Sequence, residues 1–176
     1  MVDLDLDEFT TPPPGASIGR LWGRFRGTVA GVDDDDRMGR ISVRVPSVYG
    51  DEESPPAFPA TPYAGDGHGM LFLPEVGDGV WVEFEGGDPS HPIWTGGWWA
   101  QGELPEDADI QSRAIVTSGG LKVVLDDDAK EIRLLSGSRA EITIADDAIT
   151  LRFGQTKVVI DDGGVSINDT AFRVTT

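Results

Sequence analysis

The sequence contains no cysteine among its 176 residues. No disulfide can therefore staple the fold, and thiolate catalysis and cysteine-ligated metal centres are excluded. Long uncharged apolar runs are also missing, and the N-terminus lacks the basic-then-apolar pattern of an export signal. We therefore expect neither a signal peptide nor a membrane-spanning helix, so that any contact with a membrane is mechanical penetration.

Positive charge is scarce. Lysine and arginine total 14 against 31 acidic residues, which gives a net charge of −17, and lysine occurs only at Lys122, Lys130 and Lys157. A surface of this sign repels phosphate backbones and anionic headgroups, so we expect no nucleic-acid partner. The aspartate-rich composition also fits adaptation to high salt.

The residue types that carry chemistry form no recognisable site. His68 and His91 lack the spacing of metal ligands, and the acidic runs 33–36 and 126–128 lack the alternating ligands and later glutamate of a calcium loop. We interpret both runs as solvated turns. No G-x-S-x-G elbow is present. We predict no catalytic residue, no metal, no cofactor and no enzymatic activity.

Helical periodicity is absent, because no segment keeps apolar residues at i, i+3, i+4 and i+7 for three turns. The predicted fold class is all-β. Composition divides the chain into four parts. These are an extended N-terminal arm (1–20) with a Pro-Pro-Pro-Gly stretch, a β-rich domain (21–99), a polar linker (100–112) and an array of short strands (113–176).

The β-rich domain contains five runs that look like strands, separated by turn residues. The runs cover residues 21–32, 40–48, 68–74, 80–87 and 91–99. Five curved strands with glycine at the corners predict a small closed barrel of the OB type.

The last part alternates apolar and polar residues in pairs that recur every seven to ten residues. Such a ribbon has one apolar face and no second layer, so it cannot bury enough area to fold alone, whereas three copies around an axis share one core. The alternatives are a monomeric solenoid or a meander folded over the barrel. The predicted trimer core comprises Val123, Leu125, Ile132, Leu134, Ile142, Ile144, Ile149, Leu151, Phe153, Val158, Ile160, Val165, Ile167, Phe172 and Val174.

The tryptophans raise a second hypothesis, an OB-fold module that binds oligosaccharide or nucleic acid. The five are Trp22, Trp81, Trp94, Trp98 and Trp99. Stacking platforms for nucleotides work beside lysine and arginine, which are few here. We therefore expect most of these rings to pack the barrel or a contact between subunits.

Two long segments resemble a known family. "GRFRGTVAGVDDDDRMGRISVRVPSVYG" and "LFLPEVGDGVWVEFEGGDPSHPIWTGGWW", which cover essentially all of 24–99, closely resemble phage baseplate assembly protein V and the OB domain of VgrG-type spikes. The segment "RAIVTSGGLKVVLDDDAKEIRLLS" (113–136) resembles the start of the spike that follows this barrel.

The resemblance implies a homotrimer whose chains wind into an intertwined β-helical or β-prism needle. It implies a structural central spike, in a virion tail baseplate or a contractile injection particle assembled in the cytoplasm, that joins the baseplate hub to the tip and pierces the target envelope. Partners implied are the hub protein, for which we predict Trp98 and Trp99 as contacts, and a separate PAAR-like tip protein at the C-terminal end. The iron-binding His-x-His pair of some needles is absent, and residues 100–112 leave no room for the lysozyme domain of others.

Overall fold

The computed structural model describes residues 19–169 and 171–174, so the predicted N-terminal arm lies almost wholly outside the described residues. The chain divides after Ala100 into two compact units. Apart from one helical turn and one short 3-10 segment, the elements of the described residues are strands, which confirms the all-β prediction.

The first unit is built on a curled five-stranded sheet. Its elements in chain order are β1 (Phe25–Gly31), β2 (Ser42–Arg44), the single-turn helix α1 (Pro46–Tyr49), β3 (Phe58–Pro59), β4 (Ala64–Gly65), β5 (His68–Gly69), β6 (Gly79–Phe84) and β7 (Pro92–Trp98). The strand order is β2-β1-β6-β7-β3, and β4 and β5 form a separate hairpin. Pairing is antiparallel except between β3 and β7.

The segment 53–59 closes this sheet into a barrel. Bridges join Ile41 to Ala57 and Arg44 to Glu53 on the open side of β2, and the next residues form β3 against β7. Ile41 and Ala57 exchange two backbone hydrogen bonds, of 3.1 and 2.8 Å. Each strand of the ring therefore has neighbours on both sides for part of its length, as the OB-type prediction requires.

Alternating residues of the strands fill the barrel. Valines of β1, β2 and β6 are at most 1% exposed, and Phe84 and Trp94 are at most 7% exposed. The core cluster comprises Val29, Ile41, Val43, Val45, Ala57, Val80, Val82, Phe84 and Trp94. This unit therefore has its own hydrophobic core.

Three of the five predicted runs end differently from the expectation. In the run 80–87 the strand ends at Phe84, and Glu85–Gly87 form the 3-10 segment. In the run 68–74 only His68–Gly69 forms a strand, in the hairpin with β4, and Phe58–Pro59 takes the fifth place in the sheet. The run 40–48 stops at Arg44, because Pro46 starts a helical turn at a position where proline is favoured. A continuous apolar run such as Met70–Leu73 lacks the alternation that identifies a strand with one buried face, and its side chains are exposed.

The second unit is one antiparallel sheet in which every strand pairs with the next along the chain. Its strands are β8 (Ser112–Val116), β9 (Leu121–Asp126), β10 (Glu131–Ser136), β11 (Ala140–Ile144), β12 (Ala148–Phe153), β13 (Thr156–Asp161), β14 (Gly164–Ile167) and β15 (Phe172–Val174). The registers between these eight strands show no bulge. Tight turns are eased by left-handed glycines such as Gly137 (φ 59°) and Gly154 (φ 61°).

Gly27 of β1 sits where the barrel wall leaves no room for a methyl group. A Cβ there would lie 3.1 Å from Val82 Cγ2 and 3.2 Å from Val45 Cγ2. We expect Gly27→Ala to lower the free energy of unfolding by about 1–3 kcal/mol, because overpacking forces neighbours to shift. All five tryptophans precede residue 100, so tryptophan fluorescence in urea follows this unit alone.

Ser47→Ala is the matched control, because Ser47 is exposed on the helical turn. Its effect should stay within about 0.5 kcal/mol. Equal unfolding midpoints for Gly27→Ala and the control would contradict the packing described for this barrel.

Candidate functional site

The register of the second unit aligns apolar side chains into two continuous ladders across all eight strands. Residues two apart on a strand share a face, and the pairing carries that face from strand to strand. The first ladder is Ile115, Val123, Leu134, Ile142, Leu151, Val158, Ile167 and Phe172. The second ladder is Arg113, Leu125, Ile132, Ile144, Ile149, Ile160, Val165 and Val174. Phe153 and Leu121 extend the same face at one side.

We call these two ladders with Phe153 the apolar face. The structure brings all the residues predicted for a trimer core onto it. Ile115, which the sequence analysis missed, belongs to it as well through its pairing with Val123. Its segment Arg113-Ala114-Ile115-Val116 does not alternate and so gave no clear signal. Arg113 is the one position of the two ladders that is not apolar.

The apolar face is exposed in a single chain. Most of its side chains are between 37% (Ile142) and 60% (Phe153) exposed, whereas Ile167 and three valines are partly buried, and no second layer lies over the face within the described residues. Soluble monomers rarely leave so continuous an apolar surface open, and such surfaces mark sites of association. The face is therefore the candidate interface with another polypeptide.

The opposite face of this sheet, which we call the polar face, carries ion pairs together with a few apolar side chains. Arg152 pairs with Glu141 directly across from it in the register. Lys122 binds Asp107, which holds the segment before β8 against this face, and Val124 on the same face is fully buried. The continuous exposed apolar surface therefore lies on the other face.

The entry to β8 is fixed by a hydrogen-bonded turn at Asp109. Its Oδ1 accepts hydrogen bonds from the backbone N–H of Gln111 at 2.7 Å and of Ser112 at 3.0 Å. These bonds, that from Gln111 first, lower the pKa of the Asp109 carboxyl. Asp109 therefore acts as a structural cap for the start of the sheet.

The predicted hub contacts Trp98 and Trp99 occupy different environments. Trp98 is half-buried in the barrel wall, where its Nε1 donates to the Val80 carbonyl at 3.1 Å. The Arg26 guanidinium stacks on the rings of Trp81 and Trp98 at 5.5 and 5.2 Å. Trp99 is 66% exposed, so the geometry leaves Trp99 the more accessible of the two predicted contacts.

Asp34 of the acidic run 33–36 makes hydrogen bonds within its own loop. Asp34 accepts hydrogen bonds from the backbone N–H of Met38 and Arg40, and from the Arg40 side chain at 2.9 Å. Burial raises the pKa of the Asp34 carboxyl, but the hydrogen bonds from Arg40 and Met38 outweigh it and the pKa is lowered. This carboxylate is therefore committed to holding the loop between β1 and β2.

Within the described ranges, the acidic and histidine side chains form no group of three or more that could hold a metal ion, and neither His68 nor His91 belongs to one. His68 Nδ1 lies 2.9 Å from the Asp66 carbonyl oxygen, and His91 lies 3.7 Å from the Asp88 carboxylate. None of the helices in the described part is long and apolar enough to span a bilayer.

Two family models match the chain. The type VI secretion system/phage-baseplate injector OB domain matches residues 25–99, which contain the barrel. The phage baseplate V C-terminal trimerisation domain matches residues 113–173, which contain the apolar face. No curated protein matches the chain.

Ile144 lies in the middle of the apolar face, and Thr143 precedes it on the opposite face of the same strand. We expect Ile144→Asp to reduce the mass in sedimentation equilibrium from three chains to one, because association would bury three unpaired charges around one axis. Thr143→Asp, with the same added charge on the polar face, should keep the three-chain mass. A three-chain mass for Ile144→Asp would show that the ladders are not the contact.

Proposed function

Because this chain belongs to the phage baseplate V family and carries its C-terminal trimerisation domain, we propose that it is a homotrimer and the central spike of a contractile phage tail or phage-like contractile injection system. In this role the chain joins the baseplate hub to the tip. It is also the piercing element that is driven through the target envelope. The observation that carries the proposal is the pair of apolar ladders.

The dimensions of the ladders support one arrangement of the three chains. Eight strands at a spacing of about 4.8 Å span roughly 34 Å, whereas two same-face residues on one strand lie only about 7 Å apart. A strip this long and narrow is buried around a threefold axis when the axis runs along the ladders. Three such sheets then form a needle with the strands lying across its axis and the proposed trimer core inside.

The proposed trimer is stabilised by many small contributions from side chains that become buried along this axis. Each half-exposed aliphatic side chain gains on the order of 1 kcal/mol when it is covered. The sister copies supply the cover that each sheet lacks, so unfolding one chain exposes the faces of the other two. A needle held together in this way resists the forces of penetration.

The outer surface of the proposed needle suits a rod that must stay dispersed. The polar face with the Arg152–Glu141 and Lys122–Asp107 pairs turns outward when the apolar face turns inward. The net charge of −17 per chain discourages side-by-side association of rods.

Two exposed features are available to the proposed partners. β15 is the last strand of the sheet order, and its outer edge has no recorded strand partner within the described residues. Exposed strand edges are normally covered, which supports a separate PAAR-like tip protein at this end. Exposure of Trp99 supports contact between the barrel and the hub.

The alternative is an OB-fold module that binds an oligosaccharide or a nucleic acid. The observation that favours it is the exposed Arg26 stacked on two tryptophans. Arg24 beside it is already paired with Glu83 at 2.8 Å, so the patch offers little further positive charge. Retention of the trimer on single-stranded DNA or chitin oligosaccharide at low salt, lost in Trp81→Ala, would favour this alternative.

The spike function is tested in the producing cell. We expect antibody label against this chain to appear at the baseplate end of contractile particles in electron micrographs. Replacing the gene by its Ile144→Asp form should abolish injection-competent particles, whereas the Thr143→Asp form should restore them. Competent particles without this chain would contradict the proposal.

A further inference from the structure

The strands of the second unit turn on two sides of the sheet, and the turns on these two sides differ sharply in charge. We use the word edge for each of these two rows of turns. Strands of a meander turn alternately at opposite edges, so every second turn shares an edge. The turns between β9 and β10, β11 and β12, and β13 and β14 share the edge that we call the acidic edge. In or beside these turns lie Asp126, Asp127, Asp128, Asp146, Asp147, Asp161 and Asp162, with Lys130 as the one base.

The opposite edge, which we call the arginine edge, has turns at 117–120, 137–139, 154–155 and 168–169. These turns are mostly glycine, serine and amide residues, and their charged residues are Arg139 and Asp169. Asp169 is already paired with Lys157 at 2.8 Å. Arg139 is therefore the charged side chain of these turns that is left for a contact with another copy.

Arg139 has no carboxylate partner among the described residues of one chain. Its exposed guanidinium lies over the Phe153 ring at 4.8 Å, at the margin of the apolar face. The side chain thus covers an aromatic ring that a neighbouring copy would approach, and it carries an unpaired charge to that place.

The acidic edge is only partly neutralised within its own chain. Arg113 pairs with Asp127 at 2.5 Å and Lys130 pairs with Asp146 at 3.6 Å. Over the described residues, Asp128, Asp147 and Asp162 make no ion pair. This edge therefore retains negative charge that a positive group from outside can compensate.

These observations combine in the trimer of the proposed function, on which the following inference rests. A closed ring of three identical copies has heterologous contacts, so the acidic edge of one copy meets the arginine edge of the next. We propose that Arg139 of each copy pairs with the Asp146–Asp147 turn of the neighbouring copy. The contact closes each corner of the needle over the Phe153 ring.

The heights of the turns along the axis select this pairing. A threefold rotation about the needle axis leaves the height of each turn along that axis unchanged, so a turn can contact only those turns of the next copy that lie at a similar height. The turn with Arg139 joins β10 to β11, and the turn with Asp147 joins β11 to β12, so the two differ by one strand spacing of about 4.8 Å. The turn 127–130 is equally near in height, but it contains Lys130 itself and its Asp127 is paired with Arg113. At the other turn Lys130 pairs with Asp146 alone, and Asp147 makes no ion pair among the described residues.

The absence of cysteine makes a cross-linking test clean. In the full chain, Arg139→Cys combined with Asp147→Cys is treated with a short bis-maleimide. Strand β11 separates the two positions within one copy by about 17 Å, so a short link can form only between copies. We expect a product of three chains on a denaturing gel.

Arg139→Cys combined with Asp162→Cys is the matched control. Asp162 lies on the same acidic edge, but its turn joins β13 to β14 and is about 14 Å away along the axis. We expect no covalent trimer from this pair. Equal yields from the two pairs would overturn the proposed register.

A charge exchange provides the second measurement. We expect Arg139→Glu to raise the protein concentration at which the trimer dissociates by roughly tenfold, since three surface pairs become repulsive. Adding Asp147→Arg should reverse most of the loss. An intact trimer with no cross-link and no effect of Arg139→Glu overturns the edge contact alone, whereas a monomeric wild-type chain overturns the proposed function as well.

Discussion

The apolar face of the second unit is the constraint on which the rest depends. Two ladders of large aliphatic side chains run across eight strands with nothing recorded over them among the described residues. A sheet needs a second layer to bury one face, and in the proposed trimer identical faces of sister copies supply that layer. In that trimer, association is part of how this half of the chain folds, so that the trimer and the needle share one cause.

The first unit differs from the second because it buries its apolar side chains within itself. Its barrel encloses its own core, and the segment 53–59 completes the ring of strands. The acidic loop 33–36 is held by hydrogen bonds from Arg40 to Asp34 and Asp36. A barrel that buries its own core leaves surface residues such as Trp99 available to a partner, whereas the second unit leaves its apolar side chains exposed for the proposed association.

Period-two alternation predicted the second unit well, because register and face both follow from it when strands are short and turns are tight. All the residues proposed for the core share one face. The barrel was harder to predict. The run 68–74 was wrong as a barrel strand, because its continuous apolar residues carry no period, and the two-residue strand Phe58–Pro59 is too short to show one. Arg139 had no sequence signal, since its meaning comes from the edge on which its turn lies.

The solution mass of the full chain tests the central claim most directly. Light scattering over a dilution series, with hydrogen exchange on the same samples, reports both association and the order of β10–β13. The account predicts a mass of three 18.8 kDa chains, with protection of these strands that is lost only on dissociation. A single-chain mass with the same strands protected would contradict it, because the apolar face would then be stable without sister copies.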